Sequence, residues 1–346
     1  MSKTCSDPRR LALHGATMGT RWSALCHVTP GFDPARLQAG LQAAVDEVDR
    51  QMSVWKPASD LMRLNAAPVG VWQPVPAQLM AVLRLGLRIG RDSGGAFDIG
   101  MGDATAAWGF GPRPVRPQAI RAALARPRRP AHELLELEPQ HQRLRKLAPV
   151  TLDLNGIAKG YGVDRLAGVL AAHGIETGLV GIDGEMRAMG LRPDGRAWAI
   201  AVESPERHRR AAQAMLELHD AAVATSGDYR HWVEVSGRRL AHSMDPRRGA
   251  PLPAPPASVT VLAASCAEAD AWATALTVLG ETEGAALAAR RGLAALFLLR
   301  EGGGLRARAV GAPFAGQATG SSALAVRAAD IASSTRSASA GSKSVL

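Results

Sequence analysis

The sequence has only three cysteines, Cys5, Cys26 and Cys266, with no CxxC spacing among them. An odd, widely spaced set excludes a disulfide framework and a thiolate zinc site. Long apolar runs are also missing. The longest candidate, Leu293 to Leu299, stops at Arg300, far short of the ~18 residues a membrane helix needs. Aromatics make up 4% of the chain and lysines number five, so arginine carries most of the basic charge behind the net +10. The densest basic stretch, Arg113 to Arg129, is broken by Pro114, Pro117 and Pro127 and contains no aromatic residue. That pattern argues against nucleic-acid binding and suits small anionic ligands such as nucleotides. The first twenty residues hold no apolar h-region, so the expected location is the cytoplasm. A missing leader would make the protein periplasmic or membrane-associated.

What is present reads as a globular protein. Apolar residues are 47% and charged residues 21% of the 346, which is ordinary for a packed domain. The length fits one large or two modest domains. Asp33-Pro34 predicts a helix start, because Asp caps well and Pro is pre-set for the first turn. Leu37, Leu41, Val45, Val48 and Met52 then recur at helical spacing. A second helix is expected from about Pro76 to Ser93, ending at Gly94-Gly95, and a third from about Asn155 to His173-Gly174.

Beyond that point the runs shorten to strand length: Gly178 to Ile182, Ala197 to Val202, Arg230 to Val235, Arg238 to His242 and Ser258 to Ala263. Ser236-Gly237 between two of them reads as a hairpin turn. Helices return at Ala267 to Leu279 and Glu283 to Arg291, followed by a strand at Ala294 to Arg300. Helices first and hairpins later predict an α+β protein with a mainly antiparallel sheet. The expected domain is 1–312. Residues 313–346, whose end from Ser333 is rich in Ser, Ala and Gly, are expected to be a disordered tail.

Polar clusters beside glycines mark where chemistry could sit. The most informative is Asp153-Leu154-Asn155-Gly156-Ile157-Ala158-Lys159. A helix start attracts anions, and Lys159 adds a charge in the first turn, so the segment could cradle a phosphate. It also fits a plain Asp cap and a solvated lysine. The GxxxxGK[ST] spacing of a Walker loop is absent. His242, three residues before Asp245, could act as a base with Asp245 orienting its ring, or be a core histidine beside an Asp-Pro turn. Asp270 and Thr274 are four apart and share a helix face. Their oxygens suit a hard cation such as Mg²⁺.

Taken in order, MGT at Met18, MSVW at Met52, GGAFD at Gly94, WGFGP at Trp108, DLNGIAKGYGVD at Asp153, TSGDY at Thr225, HSMDPRRG at His242 and ADAWATAL at Ala269 resemble the ApbE family of FAD:protein FMN transferases. The resemblance runs from about Gly15 to Arg300. It implies a T-fold-related architecture, FAD as substrate, Mg²⁺ as cofactor, and transfer of FMN onto a Thr or Ser hydroxyl of a client protein with release of AMP. It implies FAD contacts at Met18, Trp55, Ala96, Phe97, Asp98, Asp153, Lys159 and Met244. It also implies Mg²⁺ ligands at the Gly156 carbonyl, Asp270 and Thr274, with His242 as proton acceptor. The bottom-up chemistry runs the same way: splitting a diphosphate requires its charge to be neutralised, and imidazole, with a pKa near ~6.5, can take the hydroxyl proton. Two alternatives remain open at this level, a Mg²⁺-dependent FAD pyrophosphatase and a non-catalytic FAD-binding protein. The sequence departs from the family pattern at Ile99 to Asp103 and at Asp183-Gly184-Glu185, where twin glycines are usual.

Overall fold

The computed structural model describes residues 9–112, 114–206, 212–228, 232–235, 238–314 and 325–327. Its centre is an eight-stranded sheet of β1 (Arg9–Thr17), β2 (Thr20–Val28), β3 (Gly178–Ile182), β4 (Glu185–Met189), β5 (Ala222–Gly227), β6 (Ser258–Ala263), β7 (Ala294–Glu301) and β8 (Gly304–Val310). Spatial order follows chain order throughout, and every neighbouring pair is antiparallel. The mainly antiparallel expectation is met.

The central strands are buried on both faces, which explains why they read as near-continuous apolar runs. Successive side chains of a strand point to opposite faces. Val259, Val261, Ala295 and Phe297 enter one core. Leu262, Ala294, Leu296 and Leu298 enter another, together with Trp198, Ile200 and Leu216. The first face is covered by helices α1 (Pro34–Met52), α2 (Ala77–Asp92), α3 (Ala158–Ala172) and α4 (Cys266–Arg291). The second is covered by a small sheet of Trp198–Glu203, Ala212–Leu218 and Ala325–Arg327.

Helix α1 starts as expected: the Asp33 side chain accepts from the Ala35 N–H at 2.9 Å, and all five spaced apolar residues are buried. Helix α2 has no side-chain cap. Burial of Leu79, Met80, Leu83 and Leu87 holds it instead, at ~1.5–3 kcal/mol per fully buried side chain. Helix α3 begins at Ala158, later than expected, and Asp153 is not its cap. The two helices expected around residue 280 form the single span α4, interrupted where Gly280 takes a left-handed φ of 73°.

Several elements escape the pattern reading. Ahead of the first expected helix the described residues form the β1–β2 hairpin, turning through Met18 (φ 45°) and Gly19 (φ 72°). Strands β4, β5 and β8 and the strand Ala212–Leu218 are further additions. Residues 236–237 lie outside the described residues, while the strands flanking them pair antiparallel with Val235 opposite Arg238. Past the expected domain end at 312, Phe314 is fully buried in the core under the small sheet, and Ala325–Arg327 runs parallel to Met215–Glu217. Those residues depart from the expected disorder. The rest of the tail lies outside the described residues.

One contact sets how α4 meets α3. The Asp164 carboxylate accepts the N–H groups of Cys266 (2.9 Å) and Ala267 (3.0 Å) and pairs with Arg187 at 2.6 Å. It thereby satisfies two of the four donors a helix start leaves open. Asp164→Ala is expected to destabilise the protein by ~1–3 kcal/mol, seen as a lower denaturation midpoint in urea. An unchanged midpoint would show that Ser265, the residue in the cap position, suffices.

Candidate active site

The loops at one end of the helical layer converge on a cleft of about 1590 Å³. The β1–β2 turn brings Met18, the end of α1 brings Met52 and the following loop Trp55, and the segment after α2 brings Ala96, Phe97 and Asp98. Asp153, Gly156 and Lys159 come from the approach to α3 and its first turn. Met244 and His242 come from the segment after the strand Arg238–Ala241, and Asp270 and Thr274 from α4. Twelve of the thirteen residues singled out from the sequence line this one cavity. Asp245 does not. It lies in the adjoining turn, where its carboxylate accepts from the Arg247 backbone N–H (3.0 Å) and Nε (3.3 Å).

Charge is concentrated on the floor. Lys159 Nζ lies 2.8 Å from Glu185 Oε1 and 3.5 Å from Asp183 Oδ2. Burial works against its positive charge, but Glu185, Asp270 and Asp183 outweigh it and raise the ammonium pKa above the usual lysine value. Asp270 accepts the Gly160 N–H at 3.0 Å. Its carboxyl is pushed well above the usual range, first by burial and then by the Glu185 charge, against the pull of Lys159. The contact between α3 and α4 is close because position 160 is glycine: a Cβ there would fall 2.4 Å from the Cys266 carbonyl oxygen and 2.8 Å from Asp270 Cβ.

The donor set fits a hard divalent cation. A Cβ on Gly156 would be 3.1 Å from Thr274 Oγ1, so the expected carbonyl, hydroxyl and carboxylate donors come from segments that adjoin in space. Oxygen-only ligands of this kind suit Mg²⁺, which keeps several waters and few protein ligands. Glu185 adds an independent sign. It is 3% exposed, and its Oε2 is buried with no hydrogen-bond partner among the described residues. Buried carboxylate oxygens are rarely left so, and two neighbouring buried carboxylates sharing one lysine leave negative charge that a cation would offset.

The other walls are held by backbone contacts. Asp153 accepts from the Asn155 N–H (2.7 Å) and from the Thr105 hydroxyl (2.8 Å), while burial raises its pKa. Asp98 accepts from Gly100 and Ala131 N–H groups at 2.8 and 3.1 Å. Both carboxylates fix loops, an arrangement that composition and spacing do not reveal. Trp108 Nε1 donates to the Gly249 carbonyl at 2.9 Å, tying the WGFGP turn to the HSMDPRRG turn. His242 faces the Phe110 ring edge-on, with centroids 6.5 Å apart. Trp55 stands 61% exposed at the mouth, offering a free ring face for stacking.

Asp183 and Glu185, at the β3–β4 turn, are the residues the motif reading passed over as acid groups. The signal was present in the departure from twin glycines. Asp183 occupies a left-handed φ of 56°, a conformation normally left to glycine.

A sequence model described as the ApbE family matches residues 18–297. The FAD:protein FMN transferase of Klebsiella pneumoniae is 35% identical over 303 residues, covering 85% of each chain. That of Vibrio cholerae is 36% identical over 306 residues, covering 87% of this chain and 91% of its own. Among solved structures, the flavin transferase ApbE from Vibrio cholerae superposes with a TM-score of 0.77 at 35% identity, over 88% of this chain and 97% of that one. The ApbE protein of Thermotoga maritima does so with a TM-score of 0.76 at 25% identity, over 86% and 96%.

Proposed function

Because the chain belongs to the ApbE family, we propose that it transfers the FMN moiety of FAD to a Thr or Ser hydroxyl of a client protein. The observation that carries this reading is the meeting of Lys159, Asp270, Thr274, Gly156 and His242 in one cleft whose mouth bears Trp55. The lysine and the cation donors suit a diphosphate, the histidine suits a hydroxyl proton, and the indole suits a flat ring.

In the reaction, the client oxygen bonds to the FMN phosphorus. The bond from that phosphorus to the bridging oxygen breaks, and AMP leaves with that oxygen. His242 accepts the hydroxyl proton as the new bond forms, since an un-ionised hydroxyl is a weak nucleophile. Lys159 offsets charge on the phosphate oxygens, and its clamp of carboxylates keeps it protonated throughout. Gly156, Asp270 and Thr274 would hold Mg²⁺, which supplies Lewis-acid charge at the diphosphate when bound. Burial of these groups strengthens each interaction relative to water.

The deciding experiment mixes the protein with FAD, Mg²⁺ and a candidate client, then reads flavin fluorescence on a denaturing gel. Covalent flavin on the client supports transfer. Free FMN alone identifies a pyrophosphatase in which water replaces the client hydroxyl, and unchanged FAD a non-catalytic binder. Excess chelator is expected to reduce transfer to background, and Mg²⁺ in excess over the chelator to restore it. Full transfer in chelator would remove the cation from the reading.

A further inference from the structure

The β3–β4 turn projects two carboxylates into a site already occupied by a lysine and an aspartate. Glu185 Oε1 fixes Lys159 Nζ at 2.8 Å, and Oε2 is buried with no donor among the described residues. Asp183, at a left-handed position, stands 3.5 Å from the same ammonium on the solvent side. Asp270 enters from α4, held by the Gly160 N–H at 3.0 Å. Lys159 is therefore held by the turn while it also feels the charge of Asp270. A lysine on a four-carbon stem has many rotamers, and a clamp from one side selects among them.

We infer that Glu185 is the positioning residue of this site: it aims Lys159 into the cleft, and its charge completes the negative cradle that draws a divalent cation to Asp270, Thr274 and Gly156. The inference rests on the cation reading given under the proposed function, and it gives the β3–β4 turn a role beyond closing a hairpin. Groups just outside a metal's ligands orient those ligands and tune the site. Replacing such groups typically costs ~10–100-fold in metal affinity or activity. Asp183 plays the opposing part. It draws on the same ammonium from the rim and competes with an incoming phosphate, so Asp183→Gly is expected to lower the KM for FAD while relieving a backbone conformation that glycine adopts freely.

The test titrates Mg²⁺ alone, without flavin, into the full chain by calorimetry and follows FAD binding separately. Glu185→Gln keeps the shape and removes the charge. It is expected to weaken Mg²⁺ binding by ~10–100-fold, to raise the Kd for FAD, and to leave the circular dichroism spectrum unchanged. Glu185→Asp keeps the charge on a shorter stem, and its affinity is expected to fall between the two. A purely structural Glu185 would lower the melting temperature and move neither affinity. A folded Glu185→Gln with wild-type affinity for Mg²⁺ overturns the inference, whatever its affinity for FAD. Where Glu185→Gln does not fold, Glu185→Asp decides: unchanged affinities overturn the inference and a drop in both supports it. A wild-type protein that binds no Mg²⁺ removes the cation reading and this inference together. Equal Mg²⁺ binding by wild type and Glu185→Gln removes the inference alone.

Discussion

Replacing His242 with alanine is expected to cut FMN transfer by ~10²–10⁴-fold, the range a general base contributes, and to leave FAD and Mg²⁺ binding intact. His242 lines the same cleft as Lys159 and Asp270, and it follows a strand whose partner pairs with it residue by residue. Its ring packs edge-on to Phe110, which limits its freedom. The Asp245 carboxylate is engaged with Arg247 in the turn behind, so Asp245→Asn is expected to act through the turn and cost less than loss of the imidazole. A single-turnover assay at saturating FAD separates the step from binding. Equal rates for wild type and His242→Ala would take the imidazole out of the reaction.

Asp270→Asn carries the other large expectation: transfer falls by ~10³-fold, about 4 kcal/mol of transition-state stabilisation, yet the ligand-free protein melts no lower than wild type. The two halves have one cause. Asp270 and Glu185 are buried neighbours of like charge, each raising the cost of the other, with one lysine between them. Neutralising one member lightens that load, and the Asn oxygen can still accept the Gly160 N–H. What is lost is the anionic ligand. Melting curves with and without Mg²⁺ check this. Wild type is expected to gain stability on adding the cation, by mass action, and Asp270→Asn to gain almost none. A variant that melts far below wild type without Mg²⁺ would identify Asp270 as a folding residue first.

Much of the helical layer was legible because helices announce themselves locally. Asp33-Pro34 and the Leu37 to Met52 spacing describe α1 completely, and the gap expected between Leu279 and Glu283 falls at the break in α4. The sheet was harder for the reverse reason. Trp22 pairs with Ile182, and no local pattern reports a partner so distant in the chain. The β1–β2 hairpin was missed because its outward positions alternate Arg, His and small residues at a solvated face, which resembles a loop in composition. The cleft residues emerged from motif order, and the structure brings all but Asp245 into the lining. The departure from twin glycines flagged Glu185 and Asp183, but not their part in the site, because that depends on Lys159, which arrives from another element. The loop-fixing roles of Asp98 and Asp153 likewise depend on hydrogen bonds to Ala131 and Thr105, which sequence spacing does not specify.

The meander has a consequence for how such an enzyme diversifies. Each strand pairs with the one before it in the series, and the stretches that build the cleft are spliced between successive strands. A stretch can therefore lengthen, shorten or be exchanged without rethreading any rung of the ladder. Evolution can rewrite the mouth to greet a new protein substrate while the junction of α3 and α4, pinned by Asp164 and Asp270, stays in place.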